Sequence, residues 1–61
     1  MWVVLVRYKD GTVNVSQEAY KTYQEAKAEI VKKDNIKTVT DYIYYDIENE
    51  LQYEIKTVYI K

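Results

Sequence analysis

The 61-residue chain has no cysteine, no histidine and no proline, and only one glycine. Without cysteine and histidine there is no disulfide staple and no ordinary zinc site, two devices that commonly hold small domains together. The usual general base and the thiolate nucleophile are missing for the same reason. Ser16 is the single serine and has no evident base beside it. One glycine is too few for a phosphate-cradling loop. Disordered segments are commonly rich in proline and glycine or poor in aromatics. A chain with no proline and with eight Tyr is expected to fold almost end to end.

No charge of one sign dominates. Nine basic and ten acidic residues give a net charge of −1, unlike the basic excess of a duplex-DNA binder. No apolar run approaches the roughly 18 residues of a membrane span. The N-terminal WVVLV is too short for a secretory signal and has no basic residues ahead of it. The expectation is one soluble, cytoplasmic domain over residues 1–61, with no repeat and no low-complexity tract. The usage leans on Lys, Ile, Tyr and Asn, whose codons are AT-rich, as in low-GC bacteria and their phages. That bears on origin, not on mechanism.

A chain this short buries only about 60% of its extended surface on folding. Oligomerisation or an efficient aromatic core must then supply what disulfides and metals do not. Eight Tyr and one Trp suit the second, because each ring buries a large area.

The most apolar stretch is Met1 to Tyr8. As a strand it places Trp2, Val4, Val6 and Tyr8 on one face and Val3, Leu5 and Arg7 on the other. Lys9-Asp10-Gly11 is the strongest turn signal, and Thr12 to Ser16 reads as the second strand of a hairpin. Two registers are open. A two-residue Asp10-Gly11 loop pairs Tyr8 with Val13. A three-residue loop with Gly11 in a bulge pairs Tyr8 with Thr12 and sets Val13 and Val15 beside Leu5 and Val3. The second is preferred.

The helix also has two available starts. Thr22-Tyr23-Gln24-Glu25 matches the capping box; Ser16 with Glu18 is the other. The Thr22 start is preferred, because residues 17–20 can then extend the second strand. Tyr23, Ala26 and Ile30 fall at helical spacing, and Asn35 suits a left-handed helix end. Residues 36–46 and 51–60 read as two further strands. A loop Ile47-Glu48-Asn49 with Asn49 left-handed would gather Val39, Ile43, Tyr45, Leu51, Tyr53, Ile55 and Tyr59 on one side.

The expected architecture is α+β: ββαββ, a four-stranded antiparallel sheet in order 2-1-3-4. One helix, entered by a right-handed crossover, lies on the Val3, Leu5, Val13 and Val15 face. That leaves Trp2, Val4, Val6, Tyr8, Tyr42, Tyr44, Val58 and Ile60 on the uncovered face. An apolar patch of that size on a small protein marks an interaction site, and Trp and Tyr are frequent interface anchors. The functional expectation is a non-enzymatic interaction module, forming a homodimer or binding a protein partner through that face. No cofactor, metal, membrane or small-molecule substrate is expected. Carboxylates such as Asp41, Asp46 and Glu54 are better read as solvated surface than as a catalytic pair. The alternative is single-stranded nucleic-acid binding by base stacking on Tyr8, Tyr42 and Tyr44, with few nearby cations to support it.

Overall fold

In the computed structural model, which describes residues 1–58, β1 (Trp2–Arg7) and β2 (Val13–Val15) form the first hairpin. Its loop is the three-residue one: Leu5 lies opposite Val15 and Arg7 opposite Val13. The Tyr8 N–H donates to the Thr12 carbonyl at 2.8 Å, and the Gly11 N–H to the Tyr8 carbonyl at 3.0 Å. Gly11 sits at φ 95°, where a Cβ is penalised. Open space surrounds the place a Cβ would occupy, so the penalty there is purely one of backbone conformation. Gly11→Ala is expected to cost about 1–2 kcal/mol, read as a lower urea midpoint at unchanged slope.

Beyond Val15 the ladder changes character. The Val4 N–H donates to the Ser16 hydroxyl at 3.1 Å, a side chain standing in for a backbone carbonyl. The chain bulges through residues 17–19 and rejoins β1 at Tyr20, which exchanges two backbone bonds with Trp2. The expected extension of the second strand is therefore met at Tyr20 alone. Ser16 is thus held in the sheet and does not cap the helix.

Helix α1 (Tyr23–Val31) starts after Thr22, whose hydroxyl accepts from the Glu25 N–H at 3.2 Å. Glu25 accepts in return from the Lys21 N–H at 3.2 Å, one residue before the cap. Asn35, at φ 65°, takes the left-handed conformation just past the helix.

The second half departs from expectation in three ways. First, residues 36–46 are not one strand. They form β3 (Ile36–Thr38) and β4 (Ile43–Asp46), separated by a tight turn. The Thr40 hydroxyl accepts from the Tyr42 N–H at 3.2 Å and the Ile43 N–H at 3.1 Å. A side-chain hydroxyl that mimics a backbone turn here overrides the β-propensity of its neighbours. The sheet has five strands among the described residues, not four.

Second, the loop before β5 (Leu51–Thr57) has four residues, because Asp46 pairs with Leu51. The left-handed residue is Glu50, at φ 57°, and not Asn49. Asp46 sets this loop by accepting from the Glu48 and Asn49 N–H groups, each at 3.0 Å, and from the Asn49 side-chain amide at 2.9 Å. One extra loop residue reverses the faces of one strand relative to the other. Tyr44 therefore shares a face with Tyr53, while Ile43 and Tyr45 point away.

Third, the order is β2-β1-β5-β4-β3, all antiparallel, in place of 2-1-3-4. The two longest strands pair along six positions, from Trp2 opposite Thr57 to Arg7 opposite Gln52. That long ladder draws the last strand, not the third, against the first. β1 is interior, as the most apolar strand should be. The connection carrying α1 from β2 to β3 passes over three strands.

These registers define both faces of the sheet. Asn14, Val6, Tyr53, Tyr44 and Thr38 form one row across it, and Val4 and Ile55 the core of the next. α1 packs on that side. Val4, Ala26, Ile30, Tyr44, Tyr53 and Ile55 make the buried core, flanked by Trp2, Val6, Tyr20, Tyr23, Ile36 and Leu51. The helix thus covers the Trp2, Val4 and Val6 face, and the Leu5, Val13 and Val15 face is the open one, the reverse of the expectation. No helix among the described residues is long and apolar enough to cross a membrane.

Candidate functional site

The residues expected at an interface are now on the helix side or at its rim. Val4 and Tyr44 are core, and Trp2 and Val6 are half-buried against it. Val58 is half-buried, its N–H donating to the Met1 carbonyl at 2.9 Å. Tyr8 and Tyr42 are exposed. Tyr59 and Ile60 lie outside the described residues.

Tyr42 is not a free platform. Its ring stacks on Trp2 with centroids 6.3 Å apart and meets Tyr23 edge-on at 5.3 Å, while Tyr23 meets Trp2 at 5.7 Å. Rings at these spacings touch one another and leave no cage between them. The cluster closes the end of the core where α1 begins. Behind it, the Tyr44 hydroxyl donates to the Asp41 carbonyl at 3.0 Å and lies 3.2 Å from the Tyr23 hydroxyl, which donates to the same carbonyl. Burial, and then the bond to Tyr23, push the Tyr44 hydroxyl up to about 12. This is a structural network that ties α1 to the β3–β4 turn.

The open face is built differently. One row runs Val13, Arg7, Gln52, Tyr45, Lys37 across all five strands. The next runs Val15, Leu5, Glu54, Ile43, and Val3 lies opposite Lys56 beyond it. The face is therefore apolar at the β2–β1 corner, polar along β5, and mixed at β4. Val13 and Val15 are 43% and 56% exposed. Val3 is buried here even without the helix.

The adjoining β2 edge pairs with no further strand among the described residues. In the antiparallel ladder, alternate residues of β2 point their backbone groups at β1 and away from it. Thr12 and Ser16 bond inward, to Tyr8 and Val4. By alternation Val13 and Val15 turn their N–H and carbonyl groups outward. At the hairpin-turn end of β1 a shallow depression of about 170 Å³ is lined by Arg7, Tyr8, Lys9, Tyr45, Glu50 and Gln52. The ion pairs among the described residues are Lys9–Glu50 at 3.1 Å and Lys32–Glu29 at 2.6 Å; neither engages Arg7.

Leu5, Val13, Val15, Arg7 and Tyr45 were not singled out as an interface from the sequence. A signal for them existed. β5 alternates Leu51, Tyr53 and Ile55 with Gln52, Glu54 and Lys56. A polar stripe on an interior strand marks the uncovered side, and whatever pairs with that stripe is uncovered too. No protein-family description matches the chain, and neither curated proteins nor solved structures show a significant likeness to it.

Proposed function

We propose that this chain is a small, non-enzymatic protein-interaction module, and that its working surface is the open sheet face with the β2 edge beside it. The carrying observation is Val13 and Val15: β-branched, 43% and 56% exposed, on an edge strand whose outward backbone groups meet no partner strand among the described residues. Natural edges are usually blunted by Lys, Pro or a covering element, and none of these lies within Val13–Val15. Such an edge takes another strand by backbone bonding, with alternate side chains giving specificity. The other copy in a two-fold dimer, or a foreign protein, can supply it.

The test is sedimentation equilibrium over a wide dilution range, with Val15→Lys as the variable. Val15 is exposed, so the fold is retained, and a charge at the edge opposes strand addition. A dimer that V15K converts to monomer supports self-association. A monomeric wild type whose captured partners are lost on V15K supports a foreign partner. If V15K changes neither mass nor capture, the proposal fails.

A second reading has one observation in its favour. Tyr45 lies between Lys37 and, across Gln52, Arg7, an aromatic flanked by cations as in single-strand nucleic-acid sites. The stacking trio Tyr8, Tyr42 and Tyr44 does not form such a surface, because Tyr44 is core and Tyr42 leans on Trp2. Tyrosine quenching by oligothymidylate at low salt, falling as salt rises, would support this reading; no quenching at low salt removes it.

A further inference from the structure

We propose that the depression at the Arg7 end of the open face receives a carboxylate side chain from an extended segment of a partner protein. Arg7 is the principal donor and Gln52 the second. This rests on the interaction-module reading and names the partner's chemistry.

Arg7, Gln52 and Tyr45 are direct neighbours across β1, β5 and β4 and all line the depression. The guanidinium presents five N–H donors in a planar fork suited to a carboxylate. Lys9, the other cation of the lining, is already held by Glu50 at 3.1 Å, so Arg7 carries the uncompensated positive charge. Tyr45 lines the depression beside Gln52 on the same face as Arg7, while the Tyr8 ring turns to the other face, where its hydroxyl accepts from the Asn14 amide at 3.2 Å.

Size and sign select the ligand. The depression of about 170 Å³ is smaller than the roughly 300–1,000 Å³ of small-molecule pockets, so it suits one side chain better than a nucleotide. Glu54, on the next row beside Leu5, opposes a string of phosphates while leaving room for one carboxylate at Arg7. Leu5 lies two residues before Arg7 on the same face of β1, about 6.6 Å along the strand. An extended segment running along β1 therefore matches if an acidic residue and an apolar one are separated by two positions.

The probe is the acetylated and amidated pentapeptide Val-Ser-Glu-Ser-Val, titrated into the full chain and followed by ¹H–¹⁵N NMR. Saturable shifts are expected at the Arg7 Nε–H, the Gln52 side-chain amide and the Leu5 amide. The same peptide with Gln for Glu, and the Arg7→Gln chain with the Glu peptide, are each expected to bind roughly tenfold to a hundredfold more weakly. Arg7 is exposed, and retained spectral dispersion confirms that the R7Q chain is folded. Equal binding of the two peptides, undiminished binding by R7Q, shifts confined to other residues, or no shifts at all overturn the proposal. Tighter binding of oligothymidylate than of the Glu peptide at this site also overturns it, in favour of nucleic acid. If V15K abolishes association while the Glu and Gln peptides bind alike, only the carboxylate assignment fails. If V15K changes nothing, the interaction reading itself fails.

Discussion

Tyr44→Ala leaves the chain with little or no folded population, whereas Val15→Ala shifts its stability by less than about 0.5 kcal/mol. Tyr44 is 1% exposed and is one of the two largest fully buried side chains, with Ile30. It sits opposite Tyr53 in the core row and carries the hydroxyl network to Asp41 and Tyr23. Truncating a buried aromatic costs about 3–5 kcal/mol. A domain of this length holds roughly 3–9 kcal/mol in total at 0.05–0.15 kcal/mol per residue, so this single change is comparable with the whole. Urea unfolding followed by Trp2 fluorescence reads it well, because Trp2 packs on Tyr23 and Tyr42 at the end of the same core. Tyr44→Phe keeps the ring and loses about 1 kcal/mol for the hydroxyl. It also flattens the alkaline limb. The folded hydroxyl is raised from 10.0 to about 12, so the neutral form is favoured in the fold. Its contribution is complete below about pH 10 and is lost as pH rises toward 12. A Val15→Ala chain less stable than Tyr44→Ala would mean that the helix lies on the other face.

That comparison separates the two faces, and it shows where the sequence was legible. The first hairpin could be read because Gly11 is the only glycine and follows Asp10, which leaves few turns to choose from. The helix start could be read because the Thr22 and Glu25 signals are local and specific. Three features escaped. The turn at Thr40–Tyr42 is made by a hydroxyl accepting two N–H groups, within a stretch whose Val, Thr, Tyr and Ile all favour a strand. The β4–β5 loop differs from the expected one by a single residue, and side-chain period in a strand is two. That one residue moves Tyr44 from the solvent side to the core and Tyr45 from the core to the open face. A strand order that differs only in which late strand meets β1 then completes the reversal. Apolar content cannot choose between the faces of β1, because both are apolar. The choice is made by β5, through the contrast of Tyr53 and Ile55 with Gln52 and Glu54.

The residue that fixes that parity is Asp46, and replacing it is expected to be the second most damaging change. Asp46 is 3% exposed, between Leu51 and Ile36 on the helix side. Its carboxylate accepts from the Asn49 side chain and from the Glu48 and Asn49 backbone. These bonds, the Asn49 side-chain bond foremost and with a smaller pull from Lys33, hold its pKa below 3.8 against the opposing effect of burial. A carboxylate lowered in the fold contributes fully above its unfolded pKa and loses that contribution as pH falls through the folded value. The wild-type urea midpoint is therefore expected to drop below about pH 4. Asp46→Asn keeps the shape and one acceptor oxygen, so it folds with a much flatter acid limb. Asp46→Ala leaves the loop N–H groups without their acceptor and removes what selects four loop residues over three. It is expected to lower the midpoint at neutral pH well beyond Asp10→Ala. Asp10 is lowered too, by its bonds to Thr12, but its turn is exposed and Gly11 still shapes it. Contacts read by NMR give the structural check: Tyr44 to Tyr53 in the wild type, and weakening of that contact in D46A. An acid limb unchanged by D46N would mean that the loop length is set by Glu50 and Asn49 alone, and that the faces of the sheet do not depend on this carboxylate.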